Sequence, residues 1–161
     1  MRIAICPGSY DPPTYGHLNI VRRSAGLFDK VIVTVMVNPD KQNWFTPQER
    51  VEMLRAITTD IPNVEVEAHS GLVAEYAREK KACALVKGLR AVTDFEYEVQ
   101  RALINKKVNA ELETMFITAD AQFMYHSSST VREVASFGGE LTDFVPGQVE
   151  EAIKARMEKE A

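Results

Sequence analysis

The sequence starts, after Met1, with Arg2-Ile-Ala-Ile-Cys6, followed by Pro7-Gly-Ser-Tyr-Asp-Pro-Pro-Thr-Tyr-Gly-His17. These two segments are the most informative about the fold. The first run is short and apolar, which predicts a buried strand. One glycine, three prolines and an aspartate follow within a few residues and predict a loop. Apolar residues then recur at helical spacing, at Leu18, Val21, Ala25 and Phe28. The chain therefore begins with a strand, a loop and a helix, with Gly16-His17 at the start of the helix.

The start of this helix is a candidate phosphate site. A helix N-terminus has unpaired N–H groups and the positive end of the helix dipole. Gly16 lets a ligand approach the backbone, His17 adds an imidazole donor, and Ser9 adds a hydroxyl from the loop. Each residue alone is more often a capping, turn or surface residue. Together they follow the first strand of an α/β pattern, which is where such folds bind ligands.

Composition limits the classes of protein to consider. The chain has 161 residues, of which 45% are hydrophobic and 26% charged, enough for one domain with a core. A net charge of −4 disfavours a broad nucleic-acid surface. Cys6 and Cys83 flank apolar runs without metal-type spacing, so we expect buried, reduced thiols in a cytoplasmic protein. The N-terminal apolar run is too short for a signal peptide, and no run has the length of a membrane span.

Strands and helices alternate along the whole sequence. Apolar runs predict strands at 2–6, 30–37, 63–67, 82–86 and 115–118. Helices are predicted after Gly16, from Thr46, at 72–81, at about 93–108, at 127–135 and from Pro146. Thr46 with Glu49 forms a predicted capping box, and Thr130 with Glu133 forms a second candidate. This alternation predicts a single doubly wound, Rossmann-like α/β domain over residues 1–161, with a five-stranded parallel sheet covered on both faces.

Such a sheet binds ligands outside the carboxyl ends of its strands. The residues after strands one, two, four and five that could carry chemistry are Ser9, His17, Lys41, Lys87, Arg90 and the serines of the 119–129 segment. Lys87-Gly-Leu-Arg90 suits phosphate recognition, because arginine offers a planar fork and lysine a point charge. Lys41 taken alone is as often a solvated loop residue. One serine is enough to cap a helix, so the run Ser127-Ser-Ser129 suggests more than a cap.

The helix after Arg90 carries one polar stripe. Its members follow spacings of 4, 3 and 4 and are Asp94, Glu98, Arg101 and Asn105. The stripe is either a solvated face with a Glu98–Arg101 contact or a wall of the ligand crevice. The sequence pattern leaves both alternatives open.

Several of these segments resemble the nucleotidylyltransferase superfamily. Pro7-Gly-Ser-Tyr-Asp-Pro with Thr14-Tyr-Gly-His17 is similar to its T/HxGH motif, and Ser127-Ser-Ser-Thr-Val-Arg132 to its serine-rich motif. A third segment gives a more specific resemblance, to the bacterial phosphopantetheine adenylyltransferase family. It is Lys87-Gly-Leu-Arg-Ala-Val-Thr-Asp-Phe-Glu-Tyr-Glu98. Phe45-Thr-Pro-Gln-Glu-Arg50 and Asp143-Phe-Val-Pro146 also fit that family, so the resemblance covers nearly the whole chain.

The resemblance implies a reaction and its partners. ATP and 4′-phosphopantetheine would give dephospho-coenzyme A and pyrophosphate with Mg²⁺, the penultimate step of coenzyme A biosynthesis. It also implies a homohexamer and makes coenzyme A a candidate feedback ligand. The acceptor is a phosphate monoester whose second pKa is about 6, so it is mostly ionised at pH 7 and needs no general base. Catalysis would then consist of positioning and charge stabilisation at the α-phosphorus.

The resemblance also implies residue roles, position by position. The implied catalytic residues are His17 and Lys41. His17 would stabilise the transition state at the α-phosphate. Lys41 would bind and orient the phosphopantetheine phosphate and would also contact the transition state. The implied phosphopantetheine-side residues are Ser9, Lys41, Val73, Lys87, Asn105 and Glu133. The implied ATP-side residues are Ser9, Tyr10, His17, Gly88, Leu89, Arg90, Glu98, Phe123, Met124, Tyr125, His126, Ser127, Ser128 and Ser129. No metal ligand is assigned.

Three positions depart from the family pattern, and two other functions stay open. Lys87 stands where the family usually has arginine, Tyr15 where it has asparagine, and His126 where an apolar residue is common. One alternative is a sister enzyme that uses another phosphorylated acceptor, such as nicotinamide mononucleotide or glycerol 3-phosphate. The other is a nucleotide-binding regulatory module without turnover.

Overall fold

Five strands form one parallel sheet in the computed structural model, which describes residues 1–160. The spatial order of the strands is β3-β2-β1-β4-β5. The strands are β1 (Ile3–Gly8), β2 (Lys30–Val37), β3 (Val64–Ser70), β4 (Ala84–Leu89) and β5 (Glu113–Thr118). The predicted Rossmann-like α/β class and the five-stranded parallel sheet are confirmed, because each apolar run is paired in parallel with its neighbour.

Helices connect the strands and cover both faces of the sheet. They are α1 (Tyr15–Ala25), α2 (Pro47–Ile57), α3 (Val73–Glu79), α4 (Val92–Val108), α5 (Ser128–Ser136) and α6 (Gly147–Glu160). One core contains Ala4 and Cys6 of β1 with apolar residues of α1, α2, α5 and α6. The second core contains Ile5 of β1 with residues of α3 and Leu112, which lies just before β5. This split follows from the strand geometry, in which successive side chains point to opposite faces.

The order of the strands determines where a ligand can bind. The chain runs outward from β1 through β2 to β3, then returns to the other side of β1 for β4 and β5. Ala4 pairs with Ala84 and Ile5 with Leu85, so the carboxyl ends of β1 and β4 lie side by side. This is the topological switch point of the sheet, the usual position of a ligand crevice in open α/β folds.

Several predicted boundaries differ from the structure. The strands β1, β3, β4 and β5 are longer than predicted, because pairing with a neighbour extends them beyond their apolar runs. β4 was predicted at 82–86 and instead runs from Ala84 to Leu89, so Lys87 lies within the strand. α3 is shorter than the predicted 72–81, and the 119–126 loop contains a 3-10 turn at Ala121–Phe123. Cys83 is exposed, contrary to prediction, because it lies just before β4, and its Sγ donates to the Ile3 carbonyl.

One of the two predicted capping boxes is wrong. Thr46 and Glu49 form a capping box at the start of α2, as predicted. At α5 the N-cap is Ser127, whose Oγ accepts the Thr130 N–H at 3.0 Å, so Thr130 lies within the helix and does not cap it. Ser127, the first serine of the run, already caps the helix, so the helix begins before Thr130.

Candidate active site

A cavity of about 220 Å³ lies at the switch point between β1 and β4. Its walls come from the ends of these strands, the first turns of α1, the start of α4 and the segment after β5. The predicted site residues that line it are Ser9, Tyr10, His17, Lys87, Gly88, Arg90, Glu98, Phe123 and His126. The structure therefore brings together residues that lie more than a hundred positions apart in the sequence.

The ring of His17 is oriented by the start of its own helix. Thr14 is the N-cap of α1, and its backbone N–H donates to His17 Nδ1 at 3.0 Å. The His17 N–H donates in return to Thr14 Oγ1 at 3.3 Å, which completes a capping box. Since Nδ1 is an acceptor, the proton of a neutral His17 ring is on Nε2. His17 therefore caps its helix through one nitrogen and keeps an N–H donor on the other.

His17 is neutral over the physiological pH range. Burial lowers its pKa to about 3, and the positive charges of Arg90 and Lys87 act in the same direction. The ring also lies edge-on against Tyr10, with 4.9 Å between ring centroids. Tyr10 is fixed in turn by its hydroxyl, which donates to the Cys6 carbonyl at 2.9 Å. The site thus holds a rigid, uncharged hydrogen-bond donor beside two cations.

Lys87 and Arg90 supply the positive charge of the cavity. Lys87 Nζ donates to the Pro7 carbonyl at 3.3 Å and lies 3.4 Å from Glu98 Oε1. Arg90 Nε lies 3.9 Å from Asp94 Oδ2, and both of these side chains are partly exposed. The cations are therefore held by carboxylates of α4 and still border the cavity.

This geometry answers the question left open for the polar stripe. The sequence alternative of a Glu98–Arg101 contact is wrong, because Glu98 turns toward the sheet and pairs with Lys87. Arg101 is exposed and donates to the Tyr97 hydroxyl at 3.2 Å. Glu98 thus belongs to the cavity wall, while Arg101 belongs to the outer face of α4.

Ten predicted site residues do not line the cavity, and four of these belong to the predicted phosphopantetheine side. Lys41 is exposed in the loop after β2, Val73 is buried at the start of α3, Asn105 is half-buried on α4, and Glu133 is exposed on α5. They lie on segments other than the walls listed above. Their assignment to phosphopantetheine stays a prediction.

The other six, all on the predicted ATP side, lie close in sequence to residues of the cavity wall but do not line the cavity. Leu89 ends β4, while Met124 and Tyr125 are exposed after the 3-10 turn. Ser127 caps α5, and Ser128 Oγ donates to the Pro12 carbonyl at 2.7 Å. Ser129 is exposed in the first turn of α5. The second serine of the run therefore ties the helix to the loop after β1.

Sequence analysis missed several residues that shape the site. Cys6, Ile20 and Val86 line the cavity with apolar atoms, and Thr14 orients His17. The Thr14–His17 spacing is that of a capping box, so the pattern could have indicated it, although histidine in place of glutamate hid the signal. Burial raises the pKa of the Cys6 thiol to about 11, so this thiol stays protonated.

Two glycines allow close contacts around the cavity. A Cβ on Gly88 would lie 2.9 Å from Ile20 Cγ1, so glycine lets α1 pack against β4. A Cβ on Gly16 would lie 3.2 Å from the Cβ of His126. Gly16 thus makes room for the segment after β5 as well as for a ligand.

His126 is half-buried among aromatic rings, with one polar atom of its ring buried and unpaired. Its ring centroid lies 5.3 Å from those of Phe123 and Phe144. Its Nδ1 is buried, and no atom of residues 1–160 forms a hydrogen bond with it. Burial lowers the His126 pKa, with a smaller opposing effect from Asp143. An apolar side chain would fit these surroundings better.

We expect His126→Leu to stabilise the protein. Removing a buried unpaired nitrogen should add about 1–2 kcal/mol to the free energy of unfolding, or roughly 2–6 °C in Tm. The pKa of His126 is lower in the folded protein than in the unfolded chain, so protonation favours unfolding. The parent protein therefore has its full stability above pH 6.5 and loses stability as pH falls. The gain of the variant should therefore be larger at pH 5 than at pH 8. Calorimetry at both pH values measures it, and a lower Tm for the variant would contradict it.

Among the residues that the structure describes, no three His, Cys, Asp or Glu side chains are grouped to hold a metal ion. None of the helices within residues 1–160 combines the length and apolar character needed to cross a bilayer.

Comparisons with known proteins agree with this geometry. The Cytidylyltransferase-like family model matches residues 5–134. A Caldanaerobacter subterraneus phosphopantetheine adenylyltransferase is 53% identical over 99% of both chains. Proteins of the same name from Clostridium tetani and Clostridium novyi are 47% and 48% identical, over 95% and 92% of this chain and 96% and 92% of theirs.

A solved structure supports the fold at lower identity. It is a Vibrio parahaemolyticus protein provisionally assigned as a nicotinate-nucleotide adenylyltransferase, with a TM-score of 0.71 at 17% identity. The match covers 94% of this chain and 91% of that one. With close relatives matched over almost their full length, the chain belongs to the phosphopantetheine adenylyltransferase family, within the cytidylyltransferase-like nucleotidyltransferases.

Proposed function

We propose that this chain transfers the adenylyl group of ATP to 4′-phosphopantetheine, giving dephospho-coenzyme A and pyrophosphate. The observation that carries the proposal is the cavity at the switch point, where His17, Lys87 and Arg90 meet at the N-terminus of α1. A neutral donor and two cations suit a reaction that builds negative charge on phosphate oxygens. Family membership supports this acceptor.

The reaction proceeds by in-line attack without a covalent intermediate. The acceptor phosphate has a second pKa of about 6, so near pH 7 it attacks the α-phosphorus as an anion. A bond forms between an acceptor oxygen and the α-phosphorus, and the bond to pyrophosphate breaks. The Nε2–H of His17 donates to an α-phosphate oxygen as charge grows there. His17 supplies electrostatic stabilisation and transfers no proton, consistent with its low pKa.

The two substrates approach from different walls. On the ATP side are Tyr10, Gly88, Leu89, Arg90, Glu98 and the 123–129 segment, which surround the end of β4. On the acceptor side, Ser9 and Lys87 line the cavity, and the proposed contacts outside its walls are Lys41, Val73, Asn105 and Glu133. Among the acceptor-side residues, Lys87 has the clearest structural support, because it lines the cavity and its Nζ lies between the Pro7 carbonyl and Glu98. Lys41 would reach the acceptor phosphate by movement of its exposed loop.

Mg²⁺ is the cofactor that we propose. It keeps several waters and is usually bound through substrate phosphates with few protein ligands. A cavity with cations and a single lining carboxylate, Glu98, fits a metal that arrives on the triphosphate. The metal would neutralise charge on the leaving pyrophosphate. Turnover that persists unchanged in EDTA would contradict this part of the proposal.

Pyrophosphate release with different acceptors tests the function. We expect release from MgATP that depends on 4′-phosphopantetheine and does not occur with nicotinamide mononucleotide or glycerol 3-phosphate. Release with one of those acceptors would identify a sister enzyme. ATP binding without release for any acceptor would identify a nucleotide-binding module and overturn the proposal.

We also propose a homohexamer, a cytoplasmic location and feedback by coenzyme A. α4 supports the assembly: no residue of it is buried within the described chain, and Val92, Tyr97, Leu103 and Ile104 are more than half exposed. A single-chain mass in sedimentation velocity would contradict the assembly.

Free thiols at Cys6 and Cys83 suit a reducing compartment, which cell fractionation tests. Coenzyme A shares the pantetheine arm, so it should compete with the acceptor in steady-state assays.

A further inference from the structure

Asp11 is a buried carboxylate that joins two loops beside the cavity. It is 3% exposed and lies in the loop between β1 and α1. Its Oδ2 accepts the Trp44 N–H and its Oδ1 accepts the Phe45 N–H, both at 2.9 Å. These two amides end the loop that carries Lys41. A single side chain thus fixes the end of one loop against the middle of the other.

The same short segment also receives α5. Arg132 NH1 donates to the Asp11 carbonyl and lies 3.9 Å from Asp11 Oδ2. Ser128 Oγ donates to the carbonyl of the next residue, Pro12, at 2.7 Å. The first two turns of α5 are therefore held against the Asp11-Pro12 segment by three polar contacts.

A buried arginine fixes the start of this loop. Arg50 of α2 is 1% exposed, and its NH1 donates to the Ser9 carbonyl at 2.8 Å. Its Nε donates to the carbonyl of Thr46, the N-cap of α2, at 3.3 Å. The Asp11 charge lies near enough to act on Arg50. The loop between β1 and α1 is therefore fixed at two points by buried charges. Arg50 binds the carbonyl of Ser9, and the Asp11 carboxylate binds the loop that carries Lys41.

We infer that Asp11 is a positioning residue for the reaction, whose carboxylate sets the Lys41 loop against the Ser9 loop. The inference rests on the proposed function, since these two loops carry proposed acceptor-side residues. A buried carboxylate that accepts two backbone N–H groups leaves both unpaired when it is lost, so its removal displaces the loop end. Asp11 acts through Lys41 and touches no reacting atom.

Asp11→Asn tests this with little change in shape. Asparagine has one acceptor oxygen, so only one of the two amides can stay bonded, and its NH₂ group faces the other. We expect the KM for 4′-phosphopantetheine to rise about tenfold and the KM for ATP to change much less. Partial unfolding would instead lower kcat with both KM values unchanged, so the separate changes in KM distinguish positioning from stability.

Trp44 provides a measurement that does not depend on activity. It is the single tryptophan of the chain and its own amide is bonded to Asp11. We expect iodide to quench Trp44 fluorescence more strongly in Asp11→Asn than in the parent protein. Equal quenching together with an unchanged acceptor KM would overturn the inference.

Two further variants separate the outcomes. Asp29→Asn is the matched control, because Asp29 Oδ2 also accepts a backbone N–H, that of Arg2 at 2.5 Å, at the start of β2. It should leave both KM values and the quenching unchanged. Arg50→Lys keeps the charge but replaces the guanidinium, which donates to both the Ser9 and the Thr46 carbonyl, with a single ammonium group, and it should raise the acceptor KM in the same direction as Asp11→Asn. If the parent protein shows no turnover the proposed function fails, whereas an active parent with an unaffected Asp11→Asn variant refutes only the positioning role.

Discussion

His17→Ala is expected to lower kcat by about 100- to 1,000-fold while changing the Kd for ATP by less than about threefold. The Nε2–H donor meets an oxygen whose charge grows only as the acceptor attacks, so its loss falls on the transition state and not on ground-state binding. The donor is pre-oriented because the Thr14 N–H occupies Nδ1. Single-turnover pyrophosphate release and calorimetric ATP binding measure the two quantities.

The variant needs a control for the helix start, because His17 also caps α1. Losing the acceptor for the Thr14 N–H should cost about 1 kcal/mol of stability, which thermal unfolding detects. His69→Ala is the matched histidine variant: His69 stacks on Tyr76 with 4.2 Å between centroids and is outside the cavity. It should leave kcat unchanged. Near-normal turnover in a folded His17→Ala protein would refute the proposed role.

The pH dependence gives a second check on His17. Its pKa is about 3 in the folded protein, against an ordinary value of 6.5. The stability that depends on a neutral His17 is therefore complete above pH 6.5 and is lost as pH falls toward 3. Any acid limb of kcat/KM near pH 6 should belong to the acceptor phosphate and should remain in His17→Ala. An acid limb that disappears in the variant would indicate that His17 titrates during catalysis.

The fold could be predicted from sequence because its decisive signals are local. A strand buried on both faces of a parallel sheet appears as a nearly continuous apolar run, as in residues 31–37, where Thr34 is the one polar side chain. The helix starts have capping residues, as at Thr46 and Glu49. Strand ends were less predictable, because β5 is extended by pairing with β4 through residues that are themselves polar.

The candidate site was predictable to the extent that it follows the switch point of the sheet. Ser9, His17, Lys87 and Arg90 meet there because they lie at or after the carboxyl ends of the neighbouring strands β1 and β4. The partner of Glu98 was not predictable, since it depends on how α4 is rotated against β4. The tautomer of His17 and the contacts of Asp11 likewise depend on backbone N–H directions that spacing alone does not give.

Lys87→Met is expected to raise the KM for 4′-phosphopantetheine by about 10- to 100-fold, with a smaller change in the KM for ATP. The methionine keeps the length of the side chain and removes the cation that we assign to the acceptor phosphate. It also leaves the Glu98 carboxylate without its partner at 3.4 Å, in a position where that charge would repel the incoming phosphate. Steady-state kinetics with each substrate varied in turn measures both values.

Three further variants show whether the effect comes from the lost cation or from the unpaired carboxylate. Lys87→Arg should keep or improve acceptor affinity, because arginine binds phosphate through two donors. Adding Glu98→Gln to Lys87→Met should recover part of the loss if repulsion by Glu98 contributes, as a double-mutant cycle shows. Lys30→Met is the matched control, since Lys30 is a similarly buried strand lysine that pairs with Glu65 at 2.7 Å, at the opposite end of the sheet. A Lys87→Arg variant as impaired as Lys87→Met would mean that the pocket requires lysine itself, and an unaffected Lys87→Met would remove Lys87 from the acceptor site.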